Sequence, residues 1–386
     1  MPLHPINFLQ KHFFAHHLAR ELKELYASTA ILTFAAAAIA IFEPIYFITI
    51  GFTLAQVLLF YGTVYVLYFF LLPLGAKFAR SRGYEHGILY SSPFLILYYL
   101  SLFAIPQSKI FVGVAVLAFA IQKILYWPSF HADMARFGNT EERGRELGGI
   151  ELLLAFVAIL APAFGGLIIS LFGFKVLFAI VSVLILASNI PLLLTPENFT
   201  PVPFSYKDAM ADLFKKENAR KTISRFGFGE QLLTAIAWPI FIFAIVPQFR
   251  KLGLIVSATI LFTSLTMLIV GRLTDTRYRN LLIRLGTIFT FFSHPVRLMV
   301  LTPFGVLAAD TFYGISRSVL GIPFTASVYD EAKNGSIMRS LMRHEMALAA
   351  GKALASFAGI ALIFLFPPGW AALFIFGAFL TLFYFL

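Results

Sequence analysis

Apolar segments about 20 residues long, separated by short polar clusters, fill the chain from Tyr26 to Leu386. A helix needs ~20 mostly apolar residues to cross the hydrocarbon core of a bilayer. A soluble fold cannot bury so many apolar segments, and only 13% of the residues are charged, whereas ~25% is usual for soluble globular proteins. The sequence therefore predicts an all-α integral membrane protein.

The hydropathy pattern predicts twelve transmembrane helices in two groups of six, on either side of a longer polar stretch. The first six predicted spans are Tyr26–Phe42, Thr53–Gly75, Ile88–Ile105, Ile110–Trp127, Ile150–Leu171 and Phe174–Leu194. The second six are Phe226–Val246, Gly253–Gly271, Leu281–Val300, Pro303–Ile322, Met346–Phe366 and Gly369–Leu386. This even number of spans places both termini on the same side of the membrane.

The polar segments define the remaining organisation. The predicted units are an N-terminal amphipathic cytoplasmic segment (1–25), an N-terminal six-helix bundle (26–194), a cytoplasmic linker (195–225) and a C-terminal six-helix bundle (226–386). Within the linker, the pattern predicts a surface helix whose apolar residues Ala209, Leu213 and Phe214 face lipid.

Basic residues are distributed unequally between the two sides of the predicted membrane. Segments on the side of the N-terminus hold 22 of the 30 Lys and Arg, whereas the opposite loops hold only Lys109, Lys175, Arg250 and Lys251. The positive-inside rule then assigns both termini to the cytoplasm of a multi-pass protein in the cell (inner) membrane.

The net charge of +11 is not gathered on a water-facing domain, so nucleic acid is not an expected partner. With no Cys and no metal-ligand spacing, no cofactor is expected.

Distinctive residues of the first half recur in the second half at offsets of 194 to 198 positions. The pairs are Gly75 with Gly271, Lys123 with Arg317, Pro128 with Pro323, Asp133 with Asp330, and Arg145 with Arg343. Recurrence in one register indicates two parallel six-helix repeats, an arrangement in which two bundles rock about a central site.

Two loops carry the same motif in the two halves. The loop after the second span begins at Gly75 and contains Arg80, and the loop after the eighth begins at Gly271 and contains Asp275 and Arg277. Both resemble the Gly-x-x-x-Asp-Arg loop of the major facilitator superfamily, although Ala79 replaces the acid in the first copy. The resemblance implies close packing at the glycines and a charged latch between the bundles at the cytoplasmic side.

The fifth predicted span ends with Pro162, Gly165 and Gly166 in the order Ala-Pro-Ala-Phe-Gly-Gly. This segment is similar to the Gly-Pro-x-x-Gly-Gly signature of the same superfamily, which is commonest among its exporters. The resemblance implies a helix-packing motif, alternating access between two bundles and a protein that works as a monomer.

Two cations lie inside spans that line the central cavity in this superfamily. Lys123 and Arg317 are each about fourteen residues, or roughly 20 Å, from the outer ends of the fourth and tenth predicted spans. Facing each other, they would attract a carboxylate or phosphate of a solute. The alternative is that both side chains extend to the cytoplasmic interface.

Acidic and polar residues within spans are candidates for coupling to protons. Glu230 and Gln231 lie near the cytoplasmic end of the seventh span, and Asp310 lies within the tenth. A structural ion pair between Asp310 and Arg297 is the favoured alternative for that carboxylate. Glu43 and Glu345 are interpreted as cap or gate contacts at the ends of their spans.

These features favour a secondary active transporter that moves a small solute through the bilayer, with protons or a counter-solute as the coupling partner. The solute is either an organic anion or, in a multidrug-type exporter, a lipophilic compound. A lipid-modifying membrane enzyme is disfavoured, because the chain has no Asp-x-Asp motif, no metal-ligand cluster and no P-loop. A transport-dead scaffold on the same fold is the remaining alternative.

Overall fold

The structure is a computed structural model that describes residues 20–137, 143–197, 199–201, 204–274, 278–333 and 337–386. These residues form fifteen α-helices and four short 3-10 segments, with no β-strand among them. The helices are α1 (Arg20–Ala40), α2 (Glu43–Thr49), α3 (Leu54–Arg82), α4 (Tyr84–Ala104), α5 (Ile110–Phe137), α6 (Arg143–Phe172), α7 (Phe174–Ser188), α8 (Tyr206–Leu213), α9 (Ala219–Ser224), α10 (Gly229–Ile245), α11 (Phe249–Thr274), α12 (Arg279–Arg297), α13 (Pro303–Lys333), α14 (Ile337–Leu365) and α15 (Trp370–Thr381).

Nine helical segments of the described residues are long and apolar enough to cross a membrane. The first of them, Lys23–Thr49, combines α1 and α2, so the first span extends beyond the predicted end at Phe42. Three helices at predicted spans fall outside the nine. The α15 segment is shorter, while α12 and α13 contain polar and charged residues that lower their mean hydropathy. The fold is thus an all-α, multi-pass membrane protein.

The two halves of the chain pack on each other through two pairs of long helices. Helix α6 of the first half lies along α11 of the second, and α3 of the first half lies along α14 of the second. Within the first half, α5 packs on α3 and α4, while in the second half α13 packs on α11 and α12. These contacts bring polar side chains from α3, α5 and α14 to one boundary between the halves.

Small residues allow the close approach of α6 to its neighbours. A Cβ added at Gly165 would overlap the carbonyl oxygen of Ala38 on α1, and one at Gly166 would overlap that of Phe249 on α11. Conversely, a Cβ at Gly253 of α11 would overlap the carbonyl oxygen of Pro162. The segment from Pro162 to Gly166 therefore brings the α6 backbone into contact with helices from both halves.

We expect Gly165→Ala to lower the stability of the protein by about 1–3 kcal/mol, because the added methyl group overlaps a backbone atom that cannot move aside alone. The matched control is Gly113→Ala, since nothing lies within 4 Å of a Cβ built at that helical glycine. Thermal unfolding midpoints of both purified variants in detergent test the prediction. Equal unfolding midpoints for the two variants would show that α6 can move to accommodate the added methyl group without loss of stability.

The linker helix α8 is buried on one side against protein. Ala209 is 3% and Leu213 4% exposed, whereas Phe214 is 74% exposed. Helix α8 packs against α3 and α14, and the Tyr206 hydroxyl donates a hydrogen bond to the carbonyl oxygen of Phe70 at 3.0 Å. The expectation that Ala209 and Leu213 face lipid is therefore wrong, because α8 packs against α3 and α14.

Candidate functional site

Glu230 lies at the centre of a group of charged and polar side chains in the second half of the chain. It is completely buried on α10. One carboxylate oxygen lies 3.2 Å from Nη1 of Arg317 on α13, and the other lies 3.4 Å from Nε2 of His294 on α12. The Tyr313 hydroxyl donates a hydrogen bond to Glu230 at 3.0 Å. Three helices thus converge on one carboxylate.

Arg297 forms the second part of the same group. Its side chain is completely buried, and its guanidinium carbon lies 4.0 Å from the ring centroid of Tyr313 and 4.5 Å from that of Trp238. A guanidinium nitrogen lies 3.5 Å from an Asp310 oxygen, and the same oxygen accepts a 3.0 Å hydrogen bond from the Trp238 indole. Two aromatic faces and one carboxylate together hold this cation.

We call these residues the second-half network: Glu230, His294, Arg297, Asp310, Tyr313 and Arg317. Its two arginines balance its two carboxylates, which is how ionisable groups are tolerated away from water. Although the charges balance, some buried polar atoms of the network form no hydrogen bond. Buried atoms of Glu230 (Oε1), His294 (Nε2) and Arg317 (Nη1) lie at ion-pair distances without forming a hydrogen bond to any described residue. Incompletely satisfied buried charges are typical of sites that change partner or protonation state.

The two cations that the sequence analysis considered as a facing pair have different partners in the structure. Arg317 contacts Glu230 and lies over the Tyr384 ring at 5.5 Å, so it is not a free cation opposite Lys123. Lys123 instead lies over the rings of Phe119 and Tyr65, at 4.3 Å and 5.4 Å. Arg317 is not available as a free cation because Glu230 on α10 neutralises its charge.

The neighbour of Glu230 has a different environment. Gln231 is partly exposed, and within the described part of the chain its side chain forms no hydrogen bond. The α-helical geometry explains the contrast, because adjacent residues point about 100° apart around the axis. Only Glu230 of this pair belongs to the second-half network.

Glu43 is a buried carboxylate that the sequence analysis assigned to a surface cap. The helix restarts at Glu43 with Pro44 in its first turn and continues to Thr49, so the residue lies inside the first span. It is 7% exposed and accepts hydrogen bonds from the hydroxyls of Tyr61 on α3 and Tyr98 on α4. The Glu-Pro pair marks a helix start within the span, because proline fits the first helical turn.

The carboxylate of Glu345 joins the two halves at the middle of α3. Glu345 on α14 accepts a 2.8 Å hydrogen bond from the Tyr68 hydroxyl on α3. The other Glu345 oxygen lies 3.3 Å from Nε2 of His131 on α5, whose Nδ1 lies 2.6 Å from the Tyr329 hydroxyl on α13. His131 therefore contacts the second half, and Glu345 links residues of both halves.

The loop motifs differ in their glycine environments. A Cβ at Gly75 would overlap the carbonyl oxygen of Ile124 on α5, so α3 and α5 touch at this position. At Gly271 nothing lies within 4 Å of such a Cβ. Arg80 is partly exposed near the end of α3, whereas Asp275 and Arg277 lie outside the described residues.

An ion-pair cluster fixes the linker to α13 and α14 outside the predicted spans. Arg343 contacts Asp212 of α8 at 2.7 Å and also contacts Glu331, which lies 3.2 Å from Arg225. Burial raises the pKa of Asp212, but hydrogen bonds from Lys215 and Arg343 outweigh burial and hold that pKa below its usual value. The pKa of Glu331 is lowered in the same way by its basic neighbours, against the effect of burial.

We expect Arg343→Gln to destabilise the protein by about 1–3 kcal/mol at neutral pH, because Asp212 and Glu331 lose their shared partner while each keeps one other cation. Since both carboxyl groups have lowered folded-state pKa values, their stabilisation is present above the unfolded values near 4 and is lost as the pH falls through the folded ones. The difference from wild type should therefore shrink below about pH 4.

Unfolding midpoints measured between pH 3 and pH 8 in detergent test this expectation. Lys215→Gln is the matched control, because Lys215 lies 3.0 Å from the same Asp212 but its side chain is 47% exposed. Exposed pairs contribute ~0.2–1 kcal/mol, so the control should stay close to wild type. An Arg343→Gln effect that is the same at all pH values would contradict the ionic explanation.

Comparison with known proteins gives one informative similarity. The chain is 26% identical over 209 residues to a protein named multi-drug resistance efflux pump PmrA homolog, from Lactococcus lactis subsp. lactis (strain IL1403). The match covers 51% of this chain and 49% of the pump, so it spans about half the length of the curated relative. No protein-family model matches the chain.

Proposed function

We propose that the protein is a secondary active transporter of the major facilitator type, coupled to protons, which exports amphipathic small molecules. The single observation that carries this proposal is the buried Glu230, held between Arg317 and His294 in the second-half network. The similarity to a multidrug efflux pump over about half of each chain supports a transporter and favours export. In this proposal the twelve predicted spans form two six-helix bundles with both termini in the cytoplasm of the cell membrane.

Proton coupling follows from competition for the Glu230 carboxylate. A proton on Glu230 removes the negative charge that attracts Arg317, whose Nη1 lies at 3.2 Å. The network then holds an unbalanced positive charge, which is costly in a bilayer. A change in the relative position of α10 and α13 that exposes Arg317 to water or to an anion would relieve this cost. Proton binding thereby favours one arrangement of the helices over the other.

The boundary between the halves supplies the moving contacts. Helices α3 and α14 meet at Tyr68 and Glu345, and His131 reaches Tyr329 from α5. Each of these contacts joins residues of different halves, so rocking of 26–194 against 226–386 has to break or remake them. Polar contacts of this kind can reform at small net cost, since water replaces the partner when the boundary opens.

Flux measurements with purified wild-type protein in proteoliposomes test the proposal. An imposed pH gradient should drive saturable movement of the lipophilic cation ethidium or of the anion carboxyfluorescein, and a protonophore should stop it. Folded protein that moves neither dye under any gradient would contradict the transporter proposal and favour the transport-dead scaffold.

A further inference from the structure

Two lysines from opposite halves of the chain converge on one tyrosine. Lys123 Nζ on α5 lies 5.4 Å from the ring centroid of Tyr65 on α3, and Lys352 Nζ on α14 lies 5.0 Å from the same centroid. Lys352 also donates a long hydrogen bond of 3.4 Å to the Tyr65 hydroxyl. Both ammonium groups are therefore within 5.4 Å of one aromatic ring.

The two lysines and Tyr65 lie at a similar depth in the predicted membrane. Lys123 is thirteen residues from the first residue of α5, Ile110, and Lys352 is thirteen residues from the last residue of α14, Leu365. Both distances correspond to roughly 20 Å along a helix. Tyr65 lies eleven residues after the start of α3 at Leu54, close to the same level. The two charges are thus held well below the outer surface.

These two ammonium groups retain unused hydrogen-bond donors. Within the part of the chain that the structure describes, Lys123 Nζ forms no hydrogen bond and no ion pair, and Lys352 Nζ forms only the bond to Tyr65. An ammonium group has three donors. Both side chains are partly exposed, so their donors can be reached by a solute.

Neither Glu43 nor Glu345 is an ion-pair partner of Lys123 or Lys352. Glu43 is hydrogen-bonded to Tyr61 and Tyr98, and Glu345 is hydrogen-bonded to Tyr68 and lies 3.3 Å from His131. Neither carboxylate lies within ion-pair distance of a lysine, although the Glu43 and Lys123 charges do interact through space. Two like charges at membrane depth with free donors are arranged for an anion that is not part of the chain.

We propose that Lys123, Lys352 and Tyr65 form a binding subsite for the carboxylate of an organic acid. The Phe119 ring lies 4.3 Å from Lys123 Nζ and stacks on the Tyr98 ring, so aromatic side chains border the cations. A carboxylate between the lysines would accept hydrogen bonds from both halves of the chain, so its binding joins α5 to α14. This inference rests on the proposed function and names the class of solute that the transporter takes.

Ligand-dependent stabilisation of the purified protein tests the subsite without an assumption about transport. Benzoate and its neutral counterpart benzamide are titrated at constant ionic strength, and the thermal unfolding midpoint is recorded in detergent. Benzoate at about ten times its dissociation constant should raise the wild-type midpoint by about 2 °C, and benzamide should not. Lys123→Gln and Lys352→Gln should each lose the benzoate shift, whereas Lys123→Arg should keep it.

Lys109→Gln is the matched control, because Lys109 lies over the Phe52 ring at 4.8 Å but belongs to an outer loop. Its benzoate shift should equal that of the wild type. A benzoate shift no larger than the benzamide shift, or one that survives in either Lys→Gln variant, overturns the subsite. Flux of ethidium and of carboxyfluorescein under a pH gradient, measured on the same preparations, separates the two proposals. Flux of one of the dyes without a specific benzoate shift rejects only the subsite, and a specific shift without flux of either dye rejects only the transporter.

Discussion

Glu230→Gln is expected to reduce proton-driven transport to the level of protein-free liposomes while exchange of solute between the two sides of the membrane continues. Glutamine keeps the size and the hydrogen-bond acceptor of the side chain but can neither bind nor release the coupling proton. Residue 230 then binds no proton in either arrangement of the helices. The pH gradient therefore cannot favour one arrangement over the other.

Two assays on the same proteoliposomes distinguish coupling from binding. Proton-driven flux is measured under an imposed pH gradient, and counterflow of labelled solute is measured with equal pH on both sides. Glu217→Gln is the matched control, because it makes the same chemical change at an exposed position of the linker. Loss of both activities in Glu230→Gln would indicate a binding or structural role, and undiminished proton-driven flux would exclude Glu230 as the coupling residue.

The sequence predicts which residues are unusual better than it predicts their partners. Glu230, Arg297, Asp310 and Arg317 are recognisable because charged residues are rare and costly within apolar segments. Their contacts depend on helix packing across long separations, such as the 83 positions between Glu230 and Tyr313. Hydropathy carries no information on which faces of two helices meet. The pairing of Arg317 with Glu230 was therefore outside the reach of the sequence.

Glu43 and Lys352 show two further limits. The hydropathy pattern predicts that the first span ends at Phe42, yet α2 begins at Glu43 and continues to Thr49, with Pro44 in its first turn. Lys352 lies within the eleventh predicted span but has no counterpart in the register between the halves. Its distance from the outer end of its helix, close to that of Lys123, is the signal that could have identified it.

Arg297→Leu is expected to lower the stability of the protein by about 3–5 kcal/mol, the usual cost of removing one partner of a buried ion pair. The arginine is completely buried, and its loss leaves Asp310 without a cationic partner, although the 3.0 Å hydrogen bond from Trp238 remains. The aromatic faces of Tyr313 and Trp238 also lose their contact with the guanidinium group, which adds a smaller packing term. Unfolding midpoints in detergent measure the effect.

The double variant Arg297→Leu/Asp310→Asn separates the charge contribution from the packing contribution. Asparagine removes the uncompensated carboxylate while it keeps an oxygen that can accept the Trp238 hydrogen bond. We therefore expect the double variant to be more stable than Arg297→Leu alone, with a coupling energy of at least about 1 kcal/mol in the four-variant cycle. Strict additivity would mean that Asp310 does not depend on Arg297 at 3.5 Å and is stabilised by other groups. Arg297 would then be held chiefly by the rings of Trp238 and Tyr313, and the charge balance of the second-half network would have to rest on Glu230 and Arg317 alone.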